Sequence, residues 1–215
     1  MFCKWIVCNV RGELRDSFAL AQTKWIELAT IPGFVGQLGG WDLKSKNDAC
    51  ILGIWQNQES YQVFMDQYHD KIVSHNEQGD TFETIDVSLL QPISDMPGVH
   101  DKMTNCIEAA KIIRVADCFV RPEREEHFIE VQETIWIPAM SQAPGMLAGS
   151  FNKVLGDSIR YIVTTSWVTE EAHENYVHNT LPSLRAAASV SEDVQQITGR
   201  LISTVRDWLV TPAVG

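Results

Sequence analysis

TKWIELATIPGF (residues 23–34) and TIWIPAMSQAPGM (residues 134–146) carry the same Thr, Trp and Pro-Gly pattern twice within a chain of 215 residues. Outward from this pair, CNVRGELRDSF (8–18) matches CFVRPEREEHF (118–128) at Cys, Val, Arg, Glu and Phe, with Phe18 and Phe128 110 positions apart. The offset grows by one before Trp25 and Trp136, grows by one more before Pro32-Gly33 and Pro144-Gly145, and then holds to Trp55 and Trp167. Two single-residue insertions in or just after the first helix account for the drift. A sustained period of this kind marks a duplicated supersecondary unit.

In the first copy CKWIVCNV has the β-branched and aromatic content of a strand, and LRDSFALAQTKWIELAT places Phe18, Ala21, Trp25 and Leu28 at helical spacing until Pro32-Gly33 stops it. FVGQLGGWDL and DACILGIW read as strands around the polar turn KSKND. SYQVFMDQYHDKIVSH is a second helix with Tyr61, Phe64, Met65, Tyr68 and Ile72 on one face, and FETIDVSLL closes the unit as a strand. The second copy repeats the order through IIRVADCFV, REEHFIEVQETIWIPAM, MLAGSFNKV, RYIVTTSWV, AHENYVHNTLPSLRAAA and RLISTVRDWLV. Pro138 and Pro182 should kink or break its two helices. The order βαββαβ is the ferredoxin-like split βαβ unit. It divides the chain into a first repeat at 1–92, a turn-rich linker at 93–110 and a second repeat at 111–215.

Both alternating sets of DACILGIW are apolar, so both faces of that strand are buried. Helices cover one face; the other must meet a second sheet, and the other copy provides it. The expected fold class is therefore α+β, two tandem ferredoxin-like repeats whose antiparallel sheets pack into one α+β barrel.

With 45% hydrophobic and 21% charged residues and no apolar run of about 18, no membrane span is expected. MFCKWIVCNV is too short, and too broken by Lys4, for a secretory signal, which points to a cytoplasmic location. Cys3, Cys8, Cys50, Cys106 and Cys118 are odd in number and lie mostly in apolar runs, as reduced buried thiols do. A net charge of -11 without a basic patch repels a phosphate backbone, so nucleic acid is not an expected partner. No metal is expected either: there is no CxxC, and His69/His75 and His173/His178 miss the i, i+4 spacing.

Among candidate residues, His69 follows Met65 by four and precedes Ile72 by three, placing it on the margin of an apolar helix face. It suits a general base, or a partly buried His satisfied by a backbone carbonyl. Asp70 lies about 100° away on a regular helix and is not expected to orient it. Asn9, ending an apolar strand, orients a substrate oxygen or caps the next turn. Gly36, Gly39 and Gly40 leave a bulge, a bend or room for a ligand, with Gln37 the polar residue in that space. Trp25, Trp41, Trp55, Trp136 and Trp167 read as core before they read as a cage.

KWxxC at Lys4–Cys8, QxxWxxLxxxPGFxGQxGGW at Gln22–Trp41, Trp55, and YxxFMxxxHD at Tyr61–Asp70 resemble the dimeric α+β barrel superfamily of antibiotic-biosynthesis and haem-degrading monooxygenases. The first half is closest to an uncharacterised branch; the second resembles the superfamily through PGM, Trp167 and the helix after it. Two chains usually pair in that superfamily, so this sequence resembles a tandem fusion, an intramolecular pseudo-dimer that leaves further homo-oligomers open. The resemblance implies small-molecule pockets between sheet and helices, where cofactor-free members let O2 react with a deprotonated carbon acid or phenol. It implies a cofactor-independent, monooxygenase-like protein acting on a small aromatic or quinone-like molecule, with His69 and Asn9 catalytic and Gln37, Trp55, Trp41 and Phe64 binding substrate.

The haem-degrading branch uses an Asn at the end of the first strand, a Trp early in the second helix and a His ten residues later. Asn9 fits, but Phe64 and Ser74 stand at the other two places with His75 adjacent, and the second half has Phe119, Tyr176 and Ala186, so the expectation is no cofactor, with haem left open through Asn9. The alternative function is a non-catalytic ligand-binding or structural and interaction module of the same fold. Volume separates the two, because an enzyme needs roughly 300 Å³ or more lined by convergent polar groups. Alignment of the halves sets His69 and Gln37 against Leu181 and Gly149, so a site is expected in the first half.

Overall fold

The computed structural model describes residues 1–98 and 103–213, and its contacts divide into a unit of Met1–Leu90 with the chain from Ile202 onward, and a unit of Gln91–Leu201. The first unit runs β1 (Phe2–Asn9), α1 (Arg15–Thr23), a 3-10 helix (Lys24–Thr30), β2 (Phe34–Asp42) and β3 (Asp48–Trp55). It continues with α2 (Gln58–Phe64), a π-helical turn (Met65–His69), α3 (Asp70–Asn76) and the start of β4 (Thr84–Pro97). Next come α4 (Met103–Ala109), β5 (Ile112–Val120), α5 (Glu125–Val131), a second π turn (Gln132–Trp136), α6 (Ile137–Ser141), β6 (Met146–Val154) and β7 (Arg160–Trp167). The last elements are α7 (Glu170–Asn179), α8 (Leu181–Ala187), α9 (Val190–Asp193) and β8 (Val194–Thr204). The strands follow the closed order β1-β3-β2-β8-β5-β7-β6-β4, the α+β barrel that the repeat implies.

The two insertions have a direct structural reading. Where the first copy winds tightly into a 3-10 helix before Pro32, the second spends its extra residues on the π turn Gln132–Trp136 and on α6. A π turn is how a helix absorbs one added residue without losing the register of its buried face. Gly33 (φ 77°) and Gly145 (φ 83°) end both elements in the left-handed region, and a side chain there is also barred by space. A Cβ on Gly33 would come within 2.3 Å of Ser60, and one on Gly145 within 2.6 Å of Ala172, so each turn is pressed onto the helix that follows β3 or β7.

Pro138 and Pro182 act as expected, each opening a new helical segment at its first turn: α6 after the π turn, and α8 after the break at Thr180. Two sequence expectations need correction. The segment read as a linker from residue 93 carries β4 on to Pro97 and holds α4, while residues 99–102 lie outside the described residues. The last strand is Val194–Thr204, six residues earlier than RLISTVRDWLV suggests. Beyond it the chain turns through Arg206–Trp208 and buries Trp208 completely between Phe18 and Trp41, at ring distances of 5.7 and 5.3 Å. Val210 then pairs with Gln37. The apolar alternation read as a strand is instead the pattern of a tail that fills the first unit's core.

Candidate functional site

In the first unit the face of the sheet toward α1, α2 and α3 bears Lys4, Ile6 and Cys8 on β1 and Ile51, Gly53 and Trp55 on β3. Lys4 is directly opposite Gly53, and Gly53 is directly opposite Gln37 on β2, so the three stand abreast at about 5 Å per strand. Gln37 reaches this face through a β-bulge between Phe34 and Gly36: two steps on β3, from Trp55 to Gly53, face three on β2, so Phe34 and Gln37 point the same way. Because Gly53 has no side chain, a cavity of about 250 Å³ opens between this floor and the helices.

The walls are largely apolar: Leu28, Phe34, Trp55 and Phe64, the last two stacked at 4.7 Å between ring centroids. One side is closed by a polar lattice in which Gln78 donates to Gln22 (2.8 Å) and accepts from the Trp25 indole N–H (2.8 Å). Next to it, Asn76 caps α3. Its Oδ1 accepts from the Gln78 backbone N–H (3.0 Å), which fixes the amide orientation and leaves the buried Nδ2 without a partner among the described residues.

His69 lies at the cavity's edge, where the π turn gives way to α3, with its ring 5.7 Å from Phe64 and 6.2 Å from Trp25. Its Nδ1 meets the Asp70 carboxylate at 2.9 Å, a contact a regular helix was not expected to give. Asp70 itself is wholly in solvent. The contact leaves Nε2 as the ring nitrogen available to a ligand.

Lys4 is the cavity's cation. Its Nζ lies 5.8 Å from the centre of the Tyr61 ring, and among the described residues it makes no ion pair or hydrogen bond. Burial among apolar groups pushes its pKa below the ordinary lysine value. Cys8, further along the same face, is pushed up to about 12, chiefly by burial, so it is a thiol and not a nucleophilic thiolate.

Of the residues singled out in the sequence, Gln37, His69, Trp55 and Phe64 line this cavity, and Asn9 and Trp41 do not. The Asn9 amide donates to Asp48, its cross-strand partner, at 2.9 Å. Trp41 stacks under the Arg15 guanidinium (3.6 Å) and against Phe18 and Trp208. Gly39 and Gly40 serve close backbone approach: a Cβ on Gly40 would meet the Ser203 carbonyl at 1.9 Å. The ligand space comes from Gly53, where an added Cβ would meet nothing nearer than 3.8 Å. Lys4, Gly53, Asn76 and Gln78 were missed. A lysine in the middle of the apolar run CKWIVC was the available signal.

Residues 2–90 match the model of a domain of unknown function, DUF4937. The uncharacterised protein YdbC of Bacillus subtilis (strain 168) is 36% identical over 107 residues, which are 49% of this chain and 88% of that one. The chain belongs to the DUF4937 family. Its DUF4937 half holds the whole cavity. A provisionally assigned monooxygenase of Fusobacterium nucleatum subsp. nucleatum is 10% identical, with a TM-score of 0.78 over 98% of this chain and 94% of that one. An anthrone oxidase-like protein is 14% identical, with a TM-score of 0.70 over 95% and 91%. At these identities the likeness is one of fold alone, an α+β barrel of two ferredoxin-like halves.

All five cysteines are buried. Among the described residues no group of three or more His, Cys, Asp or Glu could hold a metal ion, and no helix is long and apolar enough to cross a membrane.

Proposed function

We propose that the cavity of the DUF4937 half is the site of a cofactor-independent oxidation of a small aromatic or quinone-like molecule by O2. The observation that carries this reading is the cavity itself. At about 250 Å³ it falls just short of the roughly 300 Å³ at which small-molecule sites begin, but its walls are aromatic, and Gln37, His69 and Asn76 line it. The similarity to proteins described as a monooxygenase and as anthrone oxidase-like supports the same reaction class.

In this reading the planar substrate lies against Trp55 and Phe64, and His69 Nε2 takes a proton from an activated carbon. The carbanion gives its electrons to O2, a C–O bond forms, and loss of water from the hydroperoxide leaves a carbonyl, so that a CH2 and O2 become C=O and H2O. Gln37, whose Nε2 donates to the Trp208 carbonyl (3.2 Å), presents Oε1 to orient the substrate. Asn9 and Trp41 have no part in it.

The cavity residues do not fit haem. Phe64, at the position of the haem-degrading branch's Trp, is stacked on Trp55, and Ser74, at the position of that branch's His, is exposed and donates to the Lys71 carbonyl (2.8 Å). His75 is exposed as well.

The test is O2 uptake with a panel of small aromatic carbon acids and phenols. Once a substrate is found, His69→Ala should lower kcat/KM by about 10²- to 10⁴-fold, the usual worth of a general base. Unchanged turnover would remove the reading. Binding without turnover across the panel would favour the ligand-binding module instead.

A further inference from the structure

Lys4 is an ammonium facing a mostly apolar cavity with no carboxylate beside it. No Asp or Glu lines the cavity among the described residues, and the Cys8 thiol is held protonated, so nothing there supplies a negative charge. An unpaired cation in such a place is costly and calls for a counter-charge.

The neighbouring polar groups have the same bias. Asn76 offers a buried, unpartnered N–H pair whose orientation is fixed by Gln78. Trp55 adds an indole N–H. In the second half the matching Trp167 donates to Thr165 (3.0 Å), but the residue that matches Thr165 is Gly53, and Trp55 Nε1 has no acceptor among the described residues. Two donors at the floor, one of them charged, face a space walled by flat rings, and the Asn76 amide lies buried behind its polar side.

We propose that Lys4 is the specificity-determining residue of this cavity and that it selects aromatic ligands bearing an ionised oxygen, either a carboxylate or a phenolate. The oxyanion pairs with Lys4 Nζ, the ring lies against Trp55, Phe64 and Phe34, and Trp55 Nε1 takes a further oxygen of the ligand. This rests on the cavity being the working site and names the substrate class it admits.

The experiment is binding under anaerobic conditions, followed by calorimetry and by quenching of tryptophan fluorescence, so that it does not depend on turnover. Two pairs of probes are used: 2-naphthoate against 2-naphthamide for the carboxylate, and 2,4-dinitrophenolate against 2,4-dinitroanisole for the phenolate. The anion of at least one pair should bind about 10- to 100-fold more tightly than its neutral partner, the worth of a charge-assisted hydrogen bond in a desolvated site. The pair that responds identifies the source of the oxyanion. Lys4→Met should erase that preference while leaving the neutral compound's affinity within about twofold, and Lys4→Arg should restore part of it.

In the wild-type protein, the preferred anion should also protect Lys4 from reductive methylation read by mass spectrometry, which keeps the test independent of how any variant folds. Equal binding of anion and neutral partner, binding of none of the four compounds, or a preference that survives Lys4→Met would overturn the proposal. Anion-selective binding through Lys4 without O2 uptake on any substrate would leave this proposal standing and remove the oxidation.

Discussion

The two halves line equivalent cavities with equivalent positions and end with very different space. In the first half Lys4, Trp25, Ile51, His69, Val73 and Ile85 surround about 250 Å³; in the second, Arg114, Trp136, Val163, Leu181, Arg185 and Ile197 surround about 50 Å³. The polar set differs as well: Gln37, His69 and Asn76 are replaced by Gly149, Leu181 and Ala188, and Gly53 by Thr165, while Arg114, Gln132, Arg185 and Asp193 line the smaller cavity. The second half is closed by its own side chains, with Phe151, fully buried, stacked on Tyr161 at 5.5 Å and edge-on to Phe128 at 5.9 Å. Once a fold is present twice, one copy is free to fill its cavity with side chains while the other keeps the space open.

The largest expected effect tests the packed half. Phe151→Ala should cost about 3–5 kcal/mol in urea unfolding, because a ring enclosed by two others leaves a cavity that cannot collapse. Phe64→Ala should cost less, since that ring already borders open space on one side. The reverse order would break the contrast between a filled and an open half.

Much of this architecture was legible in the sequence because the determinants are local and repeated. The βαββαβ order, the barrel, and the Pro138 and Pro182 breaks follow from periodicity and from residues that act within one turn of themselves. The tail was misread because Trp208 and Val210 alternate like a strand yet pack into the other half's core, and no local pattern shows where a chain end will go. The site was half legible. His69 and Gln37 stood out as polar residues on apolar faces, but Gln37 reaches the cavity only through a bulge, and Gly53 makes room only because Lys4 and Gln37 flank it in register. Asn9 and Trp41 were polar or aromatic in plausible places, and their partners, Asp48 and Arg15, were visible only in three dimensions.

Gly53→Thr copies the packed half into the open one, and its effect is of intermediate size. The new Cβ meets no atom nearer than 3.8 Å, so the strand should accept it, and its hydroxyl should take the Trp55 N–H as Thr165 takes that of Trp167. Unfolding stability should rise by up to about 1 kcal/mol, as it does when a strand glycine gains a β-branched side chain. Affinity for any cavity ligand should fall by about 10- to 100-fold, the cost of crowding a fitted site. Retained affinity with a gain in stability would move the ligand away from the floor between Lys4 and Gln37.

The smallest effect is the most specific. Lys4 has a folded-state pKa lowered by burial, so between that value and the unfolded value of about 10.4 the unfolded chain holds more protons. Stability therefore rises with pH across this window, and below it the penalty of the buried ammonium is fully present. Lys4→Met, which keeps the stem and removes the charge, should raise the melting temperature by about 2–4 °C at pH below the folded pKa, on the order of 1 kcal/mol. The advantage should shrink as pH climbs through the window and vanish above it, where both forms of the site are neutral. Cys8 and Tyr61, the titratable neighbours of Lys4, are raised by burial and remain neutral below the window. An aromatic anion at about 100 times its wild-type Kd should offset or reverse the order, adding about 2.7 kcal/mol to the wild type and only about 0.4–1.4 kcal/mol to Lys4→Met, which binds it about 10- to 100-fold more weakly. If Lys4→Met instead destabilises the protein at every pH, the ammonium has a structural partner, and the open half is no more strained than the packed one.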